Sequence, residues 1–379
     1  LPSTIEQQEV PRIQARGKFE GKAAQVLARI HDRTMPTEIA VDVTPRAGAP
    51  DAQVLTAAVR SRIPDLHRVP EVGTKFGGSA AIDASARVLL PENSIESAEA
   101  KVVLTKVKDT QLSLGRLEAR ARMQGTLDRP VIDAEVHGRQ LLTGTVPLAA
   151  LDARARIEII DKEINVRDAN VDAKRTIEET ISASARLVRI HGPSLRVEGA
   201  EVRGVGDPIR AEMSKDAQEV RARIDAPRID LPLVARLAGK RDELGIRDGS
   251  LALKGEGVLR NGVAKAKVHA ELDDLSMRRL KGAGAVVDLS IDDRNVGFDL
   301  DANIGDAGKL SVHTDRVVID GRADDPRSWR RASGRVHLDT QVDMEQTATL
   351  LPTTALPVAD VRGLLTLQGR IGRDSVDTP

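Results

Sequence analysis

Cysteine and tyrosine are absent from this sequence of 379 residues, and Phe19, Phe76, Phe298 and Trp329 are its only aromatic side chains. Without cysteine there is no disulfide scaffold, no zinc ribbon and no thiol nucleophile. Compact cores lean on aromatic side chains, each burying ~150–250 Å², so four are poor material for the two or three domains usual at this length. Net charge is missing as well, with 57 Lys and Arg against 57 Asp and Glu. A neutral chain without base-stacking aromatics offers a polyanion neither field nor platform, which argues against a nucleic-acid partner. No apolar run approaches the ~18–20 residues of a membrane span. The chain opens Leu1-Pro2-Ser3 and closes Asp377-Thr378-Pro379; the expectation is a middle fragment of a longer protein, with any targeting or anchoring segment outside it.

Catalytic and metal signatures are also wanting. The seven histidines, at 31, 67, 137, 191, 269, 313 and 337, are scattered singly, with no His-Glu-x-x-His and no ligand spacing. Solvated histidines are the expectation. Gly282-Ala283-Gly284 and Gly255-Glu256-Gly257 start like dinucleotide loops but lack the third glycine and a following helix. Asp299-Leu300-Asp301-Ala302-Asn303 opens like an EF-hand, yet Ile304 and Leu310 stand where that loop needs glycine and glutamate. No carboxylate pair stands out for glycoside cleavage. The chain is therefore expected to be no enzyme and to hold no cofactor and no metal.

What the sequence does have is period-two alternation from one end to the other. In Leu151, Ala153, Ala155, Ile157 and Ile159 the apolar residues alternate with Asp152, Arg154, Arg156 and Glu158. Successive side chains of a strand point to opposite faces, so this segment has one oily and one charged face. The same reading holds for Leu117, Ala119, Ala121 and Met123, for Ala183, Ala185 and Leu187, and for Ala222 and Ile224. It continues through Leu251 and Leu253, through Ala266, Val268 and Ala270, and through Val287, Leu289 and Ile291. Val296, Phe298 and Leu300, then Val336 and Leu338, then Leu365 and Leu367 complete the set. Alternation of this kind points to antiparallel strands with one face in water.

Turn signals separate these ribbons: Gly125 to Pro130, Gly204 to Pro208, Asn261-Gly262 and Asp292 to Asn295. Strand plus turn takes about a dozen residues, giving roughly 25 strands. Three stretches break the alternation and read as short helices: Val54 to Ile63 before Pro64, Leu233 to Ala238 after Asp230-Leu231-Pro232, and Met344 to Leu351 before Pro352. Each precedes a glycine-marked strand, at Gly77-Gly78, Gly249 and Gly363. Asp324 to Arg331 reads as an exposed polar loop. These breaks suggest sub-units at 1–90, 91–228, 229–335 and 336–379. The expected fold class is mainly β, a long, curved, mostly antiparallel sheet with a few short helices.

The ordinary fate of such an oily face is a sandwich core, two sheets packed together. This one is rich in alanine and poor in aromatics, and would fill the space between sheets sparsely. An apolar face left open requires a ligand to shield it, because exposed patches beyond a few hundred Å² mark binding sites.

The phrase Gly125-Thr126-Leu127-Asp128-Arg129-Pro130-Val131-Ile132-Asp133-Ala134-Glu135-Val136-His137-Gly138 resembles one that recurs in TamB-like proteins of the AsmA-like superfamily. Gly204 to Met213 is a looser copy, and Leu356 to Gly369 is similar to the strand-restart phrase of the same proteins. The resemblance implies an open elongated groove (a β-taco) with an apolar interior that carries phospholipid between inner and outer membranes. It further implies a periplasmic location, an inner-membrane anchor outside this fragment, and an outer-membrane assembly partner such as TamA, reached through a missing C-terminal region. The alternating apolar residues named above would then line the groove and meet phospholipid acyl chains. The alternative is a structural or chaperone-like β-protein, either a tandem sandwich stalk or a holder of outer-membrane protein strands.

Overall fold

A computed structural model describes residues 12–69, 75–109, 112–143, 146–176, 179–278, 280–322, 325–350 and 363–373. Two compact units divide the chain, Leu1–Ser182 and Ala183–Pro379. Both are built from antiparallel strands joined in chain order.

The first unit holds β1 (Arg12–Glu20), β2 (Ala23–His31), β3 (Thr37–Arg46), β4 (Ala49–Ile63), β5 (Gly77–Leu90), β6 (Ser94–Lys108), β7 (Leu112–Thr126), β8 (Pro130–Thr143), β9 (Val146–Ile160) and β10 (Glu163–Lys174). Each pairs antiparallel with the next, from β1 to β10. The sheet is open and is not closed into a barrel. The second unit takes in β11 (Thr180–His191) from Ala183 onward, then β12 (Ser194–Arg203), β13 (Ile209–Lys215), β14 (Glu219–Asp230), β15 (Ile246–Arg260), β16 (Val263–Met277), β17 (Leu280–Asp292), β18 (Asn295–Ile304), β19 (Gly308–Val318), β20 (Ser333–Asp343) and β21 (Leu364–Arg373). From β12 onward the same neighbour-to-neighbour antiparallel pairing runs to β21. The mainly β, antiparallel, open-sheet reading of the sequence is what the structure has.

Local chemistry explains the joints. Asn261-Gly262 is a two-residue hairpin between β15 and β16, with φ of 51° and 83°. Left-handed backbone at both turn positions matches the twist of the flanking strands, and Asn-Gly adopts it at least cost. The turns at Leu127 to Arg129, Gly204 to Pro208 and Asp293-Arg294 also join consecutive strands. Bulges interrupt the ladders, several at residues with positive φ: Lys106, Asp168, Asp274 and Arg316. Each inserts an unpaired residue and bends the strand.

Two of the three helices read from the sequence are present. The helix α1 (Leu231–Leu237) starts at Asp230, whose carboxylate accepts the Leu233 N–H at 2.8 Å. A four-residue α2 (Arg241–Leu244) follows it. The last helix, α4 (Met344–Leu350), starts where expected; Leu351, Pro352 and residues 356–362 lie outside the described residues. The third expectation fails. Val54 to Ile63 is not a helix but the last ten residues of β4. Its residues also fit period two (Leu55, Ala57, Val59, Ser61, Ile63), and every one pairs with β5 in unbroken register. Sheet partners on both sides outweigh a ten-residue helical spacing. The helical turn comes after Pro64 instead, as a 3₁₀ turn at Leu66–Arg68. The polar break at Asp324 to Arg331 is likewise not all loop: Asp325 caps a short helix, α3 (Pro326–Arg330), and Ser328 is buried. Asp324 itself lies outside the described residues.

Fully buried apolar residues are few. In the first unit Ile63, Leu66, Ala80, Val107, Leu114 and Leu141 cluster where the 3₁₀ turn folds over the ends of β4 to β8. In the second, Ala226 and Ala235 mark the packing of α1 on β14 and β15, and Ala307 marks the 3₁₀ turn between β18 and β19. These helical excursions follow β4, β14, β18 and β20. In an antiparallel meander the even-numbered strands of a unit run the same way, so the three excursions of the second unit sit at one end of its sheet.

Candidate functional site

Residues directly opposite one another on paired strands share a face, so the register assigns every side chain to a row. In the first unit one row reads Ile82, Val102, Ala119, Val136, Ala153 across β5 to β9. The next reads Ala84, Ala100, Ala121, Ala134, Ala155, and a third Ala86, Ala98, Met123, Ile132, Ile157. Leu104, Leu117, Gly138 and Leu151 make a fourth. All eight residues expected to line an apolar surface on β7 and β9 thus lie side by side on one face.

The second unit repeats the arrangement. Leu253, Ala270, Val287, Leu300, Val312 and Leu338 form one row across β15 to β20. Leu251, Leu272, Ala285, Ala302, Leu310, Thr340 and Leu367 form another. Ile224, Gly255, Val268, Leu289 and Phe298 make a third, and Ala222, Gly257, Ala266, Ile291 and Val296 a fourth. Val336 and Leu365 share the face, two residues along from Leu338 and Leu367. Ala183, Ala185 and Leu187 alternate on β11 and are half-buried. The sequence reading missed Ile82, Val102, Ile132, Val136, Leu310 and Val312. On β6 the signal is blurred because Val102-Val103-Leu104 is apolar without a break, and Val103 falls on the charged face opposite Glu118.

Among the described residues no second layer buries these rows. Of the residues expected to line the surface, Val296 alone is buried, at 8% exposure; Leu365 and Leu367 are 50% and 51% exposed, and most others are half-buried. Neighbouring strands account for the extensive strand-to-strand contacts.

The opposite face is knitted by charge. Across β2 to β9 one row reads Arg29, Glu38, Arg60, Asp83, Lys101, Arg120, Glu135, Arg154. Arg29 meets Glu38 at 3.4 Å and Arg60 meets Asp83 at 3.5 Å. In the second unit Glu201, Arg210, Asp225, Lys254, His269, Asp288, Asp299, His313 and His337 form the corresponding row. Three histidines therefore have cross-strand aspartates: His137 with Asp152 at 2.7 Å, His269 with Asp288 at 2.8 Å, and His313 in contact with Asp299. They are exposed but not merely solvated, which corrects the reading of these three as lone histidines. Among the described residues no three carboxylate or imidazole groups gather as they would around a metal ion. Asp299, Asp301 and Asn303 stand in β18, where Asp301 accepts from the Ser311 hydroxyl at 2.6 Å.

A depression of about 1,010 Å³ in the second unit is lined chiefly by charged residues. Arg186, Arg196, Arg221, Arg223, Lys265 and Lys267 face Glu198, Glu212, Glu219, Glu256 and Asp292 there. Arg186–Glu198, Arg196–Glu198, Arg221–Glu219 and Lys265–Asp292 are already paired. Balanced and largely self-satisfied, these groups have little to offer a charged ligand, whereas the apolar rows have surface that water solvates poorly. The apolar face is the better candidate. The chain matches no protein family model and no curated protein.

Proposed function

We propose that the apolar faces of both units hold the acyl chains of phospholipids, and that the chain is a carrier of lipid and not a catalyst. The observation behind this reading is the set of in-register apolar rows left half-exposed in each unit. Burial of acyl CH₂ groups against them is non-directional and contributes ~0.8 kcal/mol per group. Alanine, valine and leucine at equivalent positions in successive strands give many sites of similar depth, which suits passage along the sheet better than trapping at one point. Headgroups remain in water.

The resemblance of Gly125 to Gly138 to TamB-like sequences supports placing this carrier in the periplasm, within an inner-membrane-anchored protein that moves lipid toward the outer membrane. An outer-membrane assembly partner such as TamA belongs to the same proposal. The deciding experiment is mass spectrometry of the organic extract of the purified chain. Phospholipid should be recovered in amounts comparable to the protein; a chain that stays lipid-free after exposure to labelled phospholipid would refute the proposal.

A further inference from the structure

Trp329 and three arginines fall within five residues on and just after α3. That helix follows β19, an odd-numbered strand, so it lies with the hairpin turns Asn261-Gly262 and Asp293-Arg294 at the end of the second unit away from α1 and α4. The Ile319 N–H donates to the Arg294 carbonyl at 2.9 Å and ties the two segments together. The helix is held firmly: Ser328 is 2% exposed and Ile319 wholly buried. Gly321, at φ +123°, lets its backbone approach Ser328 so closely that a Cβ would stand 2.6 Å from Oγ.

This pinned helix presents an aromatic ring and cations together. Trp329 is 40% exposed, and Arg327, Arg330 and Arg331 are exposed. Arg331 meets Asp320 at 3.4 Å, and the Asp325 carboxylate accepts the Arg327 backbone N–H. Among the described residues the side chains of Arg327 and Arg330 meet no carboxylate. Two exposed cations without a carboxylate partner therefore stand beside an amphipathic ring. Indole rings settle at the headgroup level of bilayers, and guanidinium groups match phosphate geometry.

We propose that α3 is a contact for the surface of an anionic phospholipid membrane, with Trp329 at headgroup depth and Arg327 and Arg330 on lipid phosphates. The contact is separate from lipid held on the apolar face, and either can fail without the other. Trp329 is the only tryptophan and tyrosine is absent, so the emission of the full chain reports this one position. Vesicles of phosphatidylglycerol mixed with phosphatidylcholine should shift that emission to the blue and shield it from an aqueous quencher. Pure phosphatidylcholine vesicles should not, and raised salt should reverse the effect. The double variant Arg327→Gln, Arg330→Gln should partition roughly thirtyfold more weakly while keeping its circular dichroism. No shift with anionic vesicles, an equal shift with neutral ones, or a shift indifferent to salt would overturn the contact. The salt series on the unaltered chain decides the matter even if the variant misfolds. The same shift with soluble polyphosphate would assign the cluster to free polyanions and overturn it too.

Discussion

Glu118 on β7 accepts from three cations at once: Lys101 Nζ at 2.9 Å, Arg116 Nη2 at 3.1 Å and Arg120 Nη2 at 2.6 Å. These hydrogen bonds, Lys101 first and then the two arginines, lower its pKa from 4.5 to about 2. The folded protein thus binds this proton less readily than the unfolded chain does. The stabilisation is fully present above about pH 4.5 and is lost as pH falls toward 2. A carboxyl titration followed by NMR should place the Glu118 midpoint near 2, and Glu118→Gln should flatten the acid limb of a melting-temperature profile. A midpoint near 4 would show that the three cations do not hold it in solution. The three partners are solvent-exposed, so the effect should shrink with salt.

At the scale of the strand, β17 carries both faces in adjacent residues. Leu289 lies in the row between Val268 and Phe298, while Ser290 lies opposite Lys267 on the charged face. A carboxylate at 289 must shed water to sit against acyl chains, and regains it when the lipid leaves. Leu289→Asp should therefore keep its circular dichroism but co-purify with severalfold less phospholipid, and Ser290→Asp should match the wild type in both. Unfolding of Leu289→Asp would mean that the face is a closed core. Such alternation was legible in the sequence because a strand exposes its period directly, and so were the hairpin at Asn261-Gly262 and the cap at Asp230. The bulges were not. Lys106, Asp168 and Arg316 sit at bulges with positive φ and no glycine to announce it; the extra residue shows only when the strand is set against its neighbour. Nor was the strand at Val54 to Ile63 distinguishable from a helix without its neighbours, since both periods fit. Pairs such as His269–Asp288 depend on register, which lies nineteen residues apart in the chain.

At the scale of the whole chain, a sheet that leaves its apolar rows half-hydrated has less to expose on unfolding. Globular proteins show heat-capacity changes of about 12–15 cal/mol/K per residue, largely from apolar surface newly wetted. Lipid-free protein should fall below that range in calorimetry and lipid-loaded protein should rise toward it; an ordinary value without lipid would contradict the half-open face. The charged rows carry a further consequence. A sheet of near-identical apolar strands is ambiguous: sliding β9 by two residues past β8 still sets Ala153, Ala155 and Ile157 against apolar neighbours. The other face does not forgive the slip. Moved one way, Glu135 meets Asp152; moved the other, Asp133 meets Glu158. Like charges opposite each other destabilise, so between β8 and β9 the polar surface acts as a parity check on a message the oily surface cannot spell, and two interchangeable strands still find one alignment.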